Sequence, residues 1–349
     1  MKITKTKLRQ IIKEEIEQLA RARSNISLSR GQAQNIRQTQ NRAKKIIKFL
    51  FSPDPDNVEQ GLAILDALED QQLIDTISNH FVFRSDGRIA IRRFKIPDET
   101  LEMILNYFAE KSVHVKNMLA QIESLVLSYN NFITNVDFLR FCTNLTNLDL
   151  SWCKSLENVD GLEDCTNLTT LRLNDCSLLQ NVDGLKGCTN LTTLDLDGCR
   201  SLQNVDGLQG LTNLTRLDLS LCYSLQNVDA LKECANLKGL SLYGCRSLQN
   251  VDGLQELTNL TTLSLSWCRS LQNVDGLEGC TNLTTLNLRG CSSLQNVDGL
   301  EGCTNLTTLV LRECQSLPIK LQQLFKTDSS GTAYEKFMAA LKASKRNSL

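Results

Sequence analysis

The sequence is poor in histidine and contains only two, His80 and His114, among its 349 residues. Neither lies next to a cysteine or serine in a nucleophile motif, and the chain has no glycine-rich phosphate-binding loop. Histidine is the side chain that most often transfers protons for an enzyme at neutral pH. We therefore predict that the protein is not an enzyme.

Long apolar runs are also missing. No stretch approaches the roughly 18 apolar residues that a membrane-spanning helix needs. Charged residues interrupt the first residues throughout, so they lack the apolar core of a signal peptide. These absences predict a cytoplasmic protein with no membrane span, and they leave open secretion by a route that needs no signal peptide.

The 14 cysteines all lie between Cys142 and Cys314, and no Cys-x-x-Cys pair occurs among them. Zinc sites commonly draw their ligands from such pairs. Without a secretion signal, cysteines are expected to stay reduced. We predict buried thiols that pack the interior, and we predict no metal and no cofactor.

The main positive feature of the sequence is a repeat of 23 residues. Eight near-copies begin at Cys142, Cys165, Cys188, Leu211, Cys234, Leu257, Cys280 and Cys303, and a degenerate copy precedes them at 119–141. We number the residues of each copy from 1 to 23, so that Cys188 occupies position 1 of the third copy. A fixed period of this length is typical of a solenoid in which each copy forms one coil.

Apolar residues recur at positions 1, 4, 7, 9, 12, 15, 18 and 21. Positions 7 and 9 of the third copy are Leu194 and Leu196, and this alternation predicts a short strand with one buried face. The other apolar residues are three apart, which predicts a chain that turns a corner and returns through tight helical turns. Asp206 at position 19 precedes Gly207, so we expect Asp206 to be the N-cap of a short 3₁₀ or α turn.

The pattern Leu-x-x-Leu-x-Leu-x-x-Cys-x-x-Leu resembles that of the leucine-rich repeat family, with cysteine where many members have asparagine. The resemblance covers residues 119–325. It implies an α/β fold, namely a leucine-rich repeat solenoid with a curved parallel sheet and short 3₁₀ or α return arms. The short copies and their Asn-Val-Asp-Gly-Leu segment are most similar to those of bacterial members.

The positions that vary between copies are the candidates for binding. We expect positions 6, 8, 10, 11 and 13 on or beside the concave face of the sheet, where they bring carboxylates in the first copies, arginines in the last, and the only two tryptophans. Aromatic and arginine side chains often dominate the energy of protein–protein binding. We predict that the concave face binds a protein partner. The predicted contact residues are Asp149, Trp152, Arg172, Asp195, Asp197, Asp218, Tyr243, Arg246, Trp267, Arg269, Arg289 and Arg312.

Two alternative roles for these positions stay open. Sequence drift on a surface that needs only to stay soluble would also vary them. Carboxylates on adjacent coils can converge on a calcium ion, although a partner that brings arginines would equally relieve their repulsion. The four carboxylates concerned are Asp149, Asp195, Asp197 and Asp218.

The chain before the repeats has a different composition. Residues 1–22 place apolar side chains on one stripe, which predicts an amphipathic helix that is able to mediate oligomerisation. Residues 23–42 are polar and typical of a linker.

Two alternative functions remain. The first 50 residues have a net charge of +10, so attachment to nucleic acid or another acidic surface is one of them, although the lack of interleaved aromatics does not favour nucleic acid. A bacterial effector that acts on a host protein is a further alternative.

Residues 43–118 predict a small α+β N-terminal cap for the solenoid. Within it we expect helices at Ala43–Phe51, Asn57–Glu69 and Gln71–Ser78, a hairpin that turns at 85–87, and a helix that opens at Pro97. Residues 326–349 predict a C-terminal helical tail.

Overall fold

The computed structural model describes residues 31–50, 52, 54–79, 81–83, 89–91 and 100–324. The chain forms two compact units that divide between Met118 and Leu119. The helix predicted at 1–22, the tail predicted at 326–349 and the helix start predicted at Pro97 lie outside the described residues.

The first unit is mainly helical. Its elements are α1 (Gly31–Leu50), α2 (Pro55–Leu68), α3 (Gln71–Ser78), the antiparallel strands β1 (Phe81–Phe83) and β2 (Ile89–Ile91), α4 (Leu101–Lys111) and α5 (Val113–Ala120). Asp54 precedes Pro55 at the start of α2 and accepts the N–H of Asp56, as an N-cap residue does. Phe81 and Phe108 pack together in the core, with ring centroids 5.1 Å apart.

Helix α1 corrects the prediction of a polar linker at 23–42, because residues 31–42 are helical. The helix keeps one buried face, on which Thr39, Ala43, Ile46 and Leu50 follow one another at helical spacing. The sequence has too few apolar residues before Ala43 to signal this stripe. Contacts with α2 and α3 stabilise the helix in its place.

The second unit is one sheet of nine parallel strands whose order follows the sequence. The strands are β3 (Ser124–Val126), β4 (Asn147–Asp149), β5 (Thr170–Arg172), β6 (Thr193–Asp195), β7 (Arg216–Asp218), β8 (Gly239–Ser241), β9 (Thr262–Ser264), β10 (Thr285–Asn287) and β11 (Thr308–Val310). Neighbouring strands are offset by 23 residues, so that Leu171, Leu194 and Leu217 lie side by side. The sheet is curved and does not close, and the predicted solenoid is confirmed.

The core of this unit lies behind the sheet. Leu194, Leu196 and Cys199 of the third copy are at most 1% exposed, and the equivalent leucines and cysteines of the other seven copies from Cys142 onward are buried too. Each copy up to the seventh returns through a 3₁₀ turn, such as Asp206–Leu208. Gly207 lets this turn pack against the preceding copy, because a Cβ there would overlap the carbonyl oxygen of Val182. After the last strand the chain forms α6 (Ile319–Leu324).

The start of the return turn corrects a second expectation. Asp206 is the first residue of the 3₁₀ turn and caps nothing, and the preceding Val205 has no side-chain cap. Instead, Oδ1 of Asn204 accepts the N–H of Asp206 at 3.1 Å. Asparagine makes this local turn well because its amide oxygen reaches the backbone two residues ahead. The asparagine at position 17 therefore has the role that the sequence pattern suggested for the aspartate at position 19.

All 14 cysteines are buried and free, which confirms the prediction of buried thiols. Thirteen of them donate an S–H bond to a carbonyl oxygen 26 residues earlier. For a cysteine at position 12 the acceptor is position 9 of the preceding copy, and for a cysteine at position 1 it is the position 21 that lies three residues before the preceding copy begins. Cys245, for example, donates to Leu219 at 3.1 Å, and Cys188 donates to Leu162 at 3.3 Å. The thiols thus join neighbouring copies by hydrogen bonds as well as by packing.

None of the described helices is long and apolar enough to cross a membrane.

Candidate functional site

The solvent-facing side of the sheet carries the side chains of positions 6, 8 and 10, and we call it the open face. Strand alternation places them there, because the leucines at positions 7 and 9 point into the core. Position 8 is half-buried in most copies, whereas Arg172, Tyr243, Arg289 and Arg312 are exposed. The predicted residues at positions 8 and 10 therefore do lie on one face.

Carboxylates dominate the first half of the open face. Asp195 and Asp218 are Cα partners on adjacent strands. Backbone amides hold both side chains, since Oδ1 of Asp195 accepts the N–H of Asp197 and Oδ1 of Asp218 accepts the N–H of Ser220. These bonds fix the direction of the carboxylates without neutralising their charge.

Asp197 is the most perturbed of these acids. Burial raises its pKa to about 6, and the carboxylates of Asp218, Asp195 and Asp175 act in the same direction. Burial raises the pKa of Asp195 as well. Oδ1 of Asp197 is buried and accepts no hydrogen bond from any described residue. With a pKa of about 6, Asp197 is mostly ionised at neutral pH, and a cation placed beside it would relieve its repulsion by the neighbouring carboxylates.

A metal ion was one candidate for that cation. In the described part of the chain, no three histidine, cysteine, aspartate or glutamate side chains form a group that could hold one. The calcium alternative therefore has no geometric support among Asp149, Asp195, Asp197 and Asp218.

The residues at position 11 follow the strand and line one edge of the open face. All nine copies have positive φ there, whether the residue is glycine or, as in Tyr129, Trp152 and Trp267, a large aromatic. The larger side chains reach over the next copy. Thus a Cβ on Gly290 would lie 2.7 Å from Cε3 of Trp267, so the glycine provides the space for the indole ring.

Two clusters surround the tryptophans. The ring of Trp152 stacks on Tyr129 with centroids 5.9 Å apart and an angle of 8° between the planes, and Lys154 lies 5.5 Å from its centroid. Farther along the sheet, just after β9, Trp267 lies beside two cations. The guanidinium carbons of Arg269 and Arg289 are 5.6 and 5.8 Å from its centroid, and Arg289 also pairs with Glu313 at 2.7 Å. Both rings are therefore held in place before any partner binds.

The structure also adds three residues to the predicted contacts. Tyr129 belongs to the degenerate copy, and its role follows only from its stacking on Trp152. Arg200 and Tyr223 occupy position 13, and Tyr223 lies between Arg200 and the predicted Arg246. The sequence did contain a signal for Arg200 and Tyr223, because residues at the same position of successive copies lie side by side in the solenoid.

A shallow groove of about 860 Å³ runs along the opposite edge of the sheet. Asparagines at position 3 and threonines at position 5 line it. The hydroxyl of Thr192 donates to the carbonyl of Thr169, and the amide of Asn190 donates to that of Thr166. The same ladder continues in the neighbouring copies, so these side chains join adjacent coils.

Cysteine and histidine are the two kinds of residue here that could take part in catalysis. Burial raises the pKa of the thiols, to about 11 for Cys153 and about 12 for Cys245, so at neutral pH these cysteines are protonated and poorly nucleophilic. His114 is an exposed residue of α5, and His80 lies outside the described residues.

Three family models match the repeats. The BspA type Leucine rich repeat region (6 copies) matches residues 195–318, Leucine Rich repeats (2 copies) matches 166–210, and a single Leucine Rich repeat matches 141–162. No curated protein matches the chain.

The chain is similar to several solved structures. The leucine-rich repeat domain of the type III effector XopL is 20% identical with a TM-score of 0.51, over 76% of this chain and 90% of that chain. Internalin C2 from Listeria monocytogenes is 23% identical with a TM-score of 0.44, over 60% of this chain and 92% of that chain. An internalin encoded by inlF in the same organism is 18% identical with a TM-score of 0.44, over 61% and 68%.

The likeness to the XopL domain, at 20% identity and a TM-score of 0.51, shows a shared fold and nothing about partners. The family models and the sheet of nine strands agree with the 23-residue pattern of the sequence. The chain is a leucine-rich repeat protein.

Proposed function

We propose that the protein is a non-enzymatic scaffold that binds a protein partner on the concave, open face of its solenoid. The observation that carries this proposal is the fixed arrangement of charged and aromatic side chains on that face. Asp195 and Asp218 are held by backbone amides, and Trp152 and Trp267 are held by contacts with neighbouring aromatic and cationic side chains. Side chains that are ordered in advance lose little entropy on binding.

The distribution of charge supports a partner that binds in one orientation. Asp149, Asp195 and Asp218 occupy position 8 of the first half, whereas Arg289 and Arg312 occupy position 10 of the last two copies. A partner with the complementary order of charges is attracted in one direction and repelled in the other. Trp152 lies in the acidic half, Trp267 lies beside Arg289, and both are the expected anchors.

The test compares two variants that carry the same change on different surfaces. In the face variant, Asp195→Arg and Asp218→Arg reverse two charges of the open face. In the control variant, Asp206→Arg and Asp229→Arg reverse two exposed charges of the return turns in the same two copies. Both variants must first show wild-type circular dichroism and unfolding.

Each protein is then used to capture partners from a lysate of the source cell, with quantitative mass spectrometry as the readout. We expect a partner that the wild type and the control variant retain and the face variant loses. Equal capture by all three proteins, or no specific capture by any, would contradict the proposal.

The alternative functions lack an observation of this kind. The likeness to the XopL domain concerns the fold, so an effector role stays a hypothesis. Most of the basic segment 1–50, the candidate for attachment to an acidic surface, lies outside the described residues. A cytoplasmic location belongs to the proposal, because free thiols persist most readily in a reducing compartment.

A further inference from the structure

A second charged feature lies at position 13, just beyond the edge of the open face. In four successive copies this position is held by Arg200, Tyr223, Arg246 and Arg269, and we call these residues the arginine–tyrosine column. The guanidinium carbon of Arg246 lies 4.5 Å from the centroid of Tyr223, and that of Arg200 lies 5.7 Å from it. Both arginines therefore take a defined position against one ring.

The column has no counter-charge of its own. Within the described residues, none of its three arginines forms an ion pair with a carboxylate, unlike Arg289, which pairs with Glu313. All three are exposed. The next outward positions, 14 and 16, are serine and glutamine in all four copies. The surface on the outward side of the three arginines is therefore uncharged at these positions.

We propose that the arginine–tyrosine column binds an acidic segment of a protein, with separate carboxylates on separate arginines. This inference deepens the function proposed above and rests on it, because it gives one chemical property of the partner. Guanidinium groups pair with carboxylates through two parallel hydrogen bonds. Since Tyr223 orders two of the guanidinium groups beforehand, less entropy is lost when such a pair forms.

The spacing of the column favours a peptide over a single phosphate. Because both guanidinium carbons lie within 6 Å of one centroid, Arg200 and Arg246 are no more than about 10 Å apart, and two strand spacings of about 4.8 Å give nearly the same value. At the separation set by two strand spacings, one phosphate group does not reach both guanidinium groups. An extended peptide covers this distance in about three residues, so its acidic side chains can meet both arginines.

The overall charge favours a protein over a nucleic acid. Residues 119–325 carry 13 lysines and arginines against 22 aspartates and glutamates, a net charge of −9. A continuous polyanion would also cross the acidic half of this surface, which repels it. A short acidic segment needs only the column itself and leaves the acidic half of the open face to basic groups of the same partner.

The experiment uses the full-length protein and a defined probe. The probe is a fluorescein-labelled peptide of four Glu-Ser-Ser units, and its binding is followed by fluorescence anisotropy at low salt. A Lys-Ser-Ser peptide of the same length, inorganic phosphate and a single-stranded oligothymidylate serve as comparison ligands. The protein variants are the double change Arg200→Gln and Arg246→Gln, the single changes Tyr223→Ser and Tyr223→Phe, and the control Arg216→Gln, an exposed arginine in the same copy as Tyr223 but outside the column.

We expect the acidic peptide to bind the wild type and the Lys-Ser-Ser peptide not to compete. The double change should weaken binding about tenfold, because two exposed ion pairs are lost. Tyr223→Ser should also weaken it, whereas Tyr223→Phe keeps the ring, and Arg216→Gln should have no effect. Failure of the acidic peptide to bind, an equal loss in Arg216→Gln, displacement by phosphate, or tighter binding of the oligothymidylate would each overturn the inference.

The outcomes also separate this inference from the proposed function. If the face variant loses its captured partner but the acidic peptide does not bind, the scaffold function stands and the inference about the column fails. If the peptide binds at the column but no partner depends on the open face, the function proposed for that face fails, while the column keeps its affinity for carboxylates.

Discussion

Trp267 and Gly290 occupy the same position in neighbouring copies, and the indole ring of the tryptophan fits the space that the glycine leaves. Both have positive φ, at 63° and 75°, a conformation that costs a residue with a Cβ about 1–2 kcal/mol relative to glycine. The indole ring covers the glycine, where a Cβ would lie 2.7 Å from Cε3. The same pairing recurs between Leu221 and Gly244. At these two places a large side chain folds over a glycine of the next copy.

The pairing predicts the effect of Gly290→Ala. We expect this change to lower the free energy of unfolding by about 2 kcal/mol or more, through backbone strain and the contact with the ring. Urea unfolding measures it. In a protein that already carries Trp267→Ala, the contact with the ring is absent. There we expect Gly290→Ala to lower the free energy of unfolding by only about 1 kcal/mol.

Gly239→Ala is the matched control for this experiment. Gly239 lies in a strand, has no atom within 4 Å of its would-be Cβ, and is not among the residues with positive φ. Alanine there should be neutral or slightly stabilising. If the Gly290 and Gly239 changes had the same effect, the pairing of ring and glycine would be wrong.

At the scale of one element, the return turn shows which residue of the Asn-Val-Asp-Gly-Leu segment starts it. The amide oxygen of the asparagine at position 17 accepts the N–H of the aspartate at position 19 in seven consecutive copies, as Asn204 does for Asp206. In the third copy the aspartate side chain stays exposed. The turn therefore depends on an asparagine that is itself outside the helical residues.

This assignment is tested by two substitutions in one turn. Asn204→Ala should lower the free energy of unfolding by about 1 kcal/mol, the usual cost of a lost cap. Asp206→Ala should change it by less than about 0.5 kcal/mol, since an exposed side chain without a cap bond is removed. Thermal or urea unfolding of both variants decides between them, and the reverse order of effects would restore the aspartate as the N-cap.

At the scale of the whole molecule, the thiols act together because they recur in every copy from Cys142 onward. Burial raises the pKa of Cys234 and Cys303 to about 11 and that of Cys188 and Cys280 to about 12, from an ordinary value of 9. The folded protein therefore holds protons that the unfolded chain releases above pH 9. Stability from this source is complete below pH 9 and falls as the pH rises towards the folded values.

We predict that the free energy of unfolding falls steeply between about pH 9 and pH 10.5. A thiol whose pKa is raised from 9 to about 11 contributes about 1 kcal/mol of this loss at pH 10, and the cysteines add up. Urea unfolding at a series of pH values, under reducing conditions, measures the slope.

The Cys234→Leu variant isolates one thiol, and the chain itself has leucine at the same position as Leu211 and Leu257. Its loss of stability between pH 8 and pH 10 should be about 1 kcal/mol smaller than that of the wild type. An unchanged pH profile would show that buried thiols do not govern alkaline unfolding.

The sequence by itself determined the solenoid, because the 23-residue period and the alternation of Leu194 and Leu196 are local signals that each copy repeats. A repeat protein contacts mainly its neighbours, so a pattern in the sequence maps directly onto a pattern in space. The burial of the cysteines followed in the same way, since leucine replaces cysteine at position 1 in two copies and marks the place as one of packing. The predicted open face followed from strand alternation.

Only the tertiary structure decided the details that depend on contact between copies. The stacking of Tyr129 on Trp152, the two arginines against Tyr223, and the ring of Trp267 over Gly290 each join residues at least 23 positions apart. Helix α1 likewise extends through a polar stretch because one narrow face is buried against other helices. In each case the feature is stabilised by packing between residues that are distant in the sequence, so the local sequence pattern does not predict it.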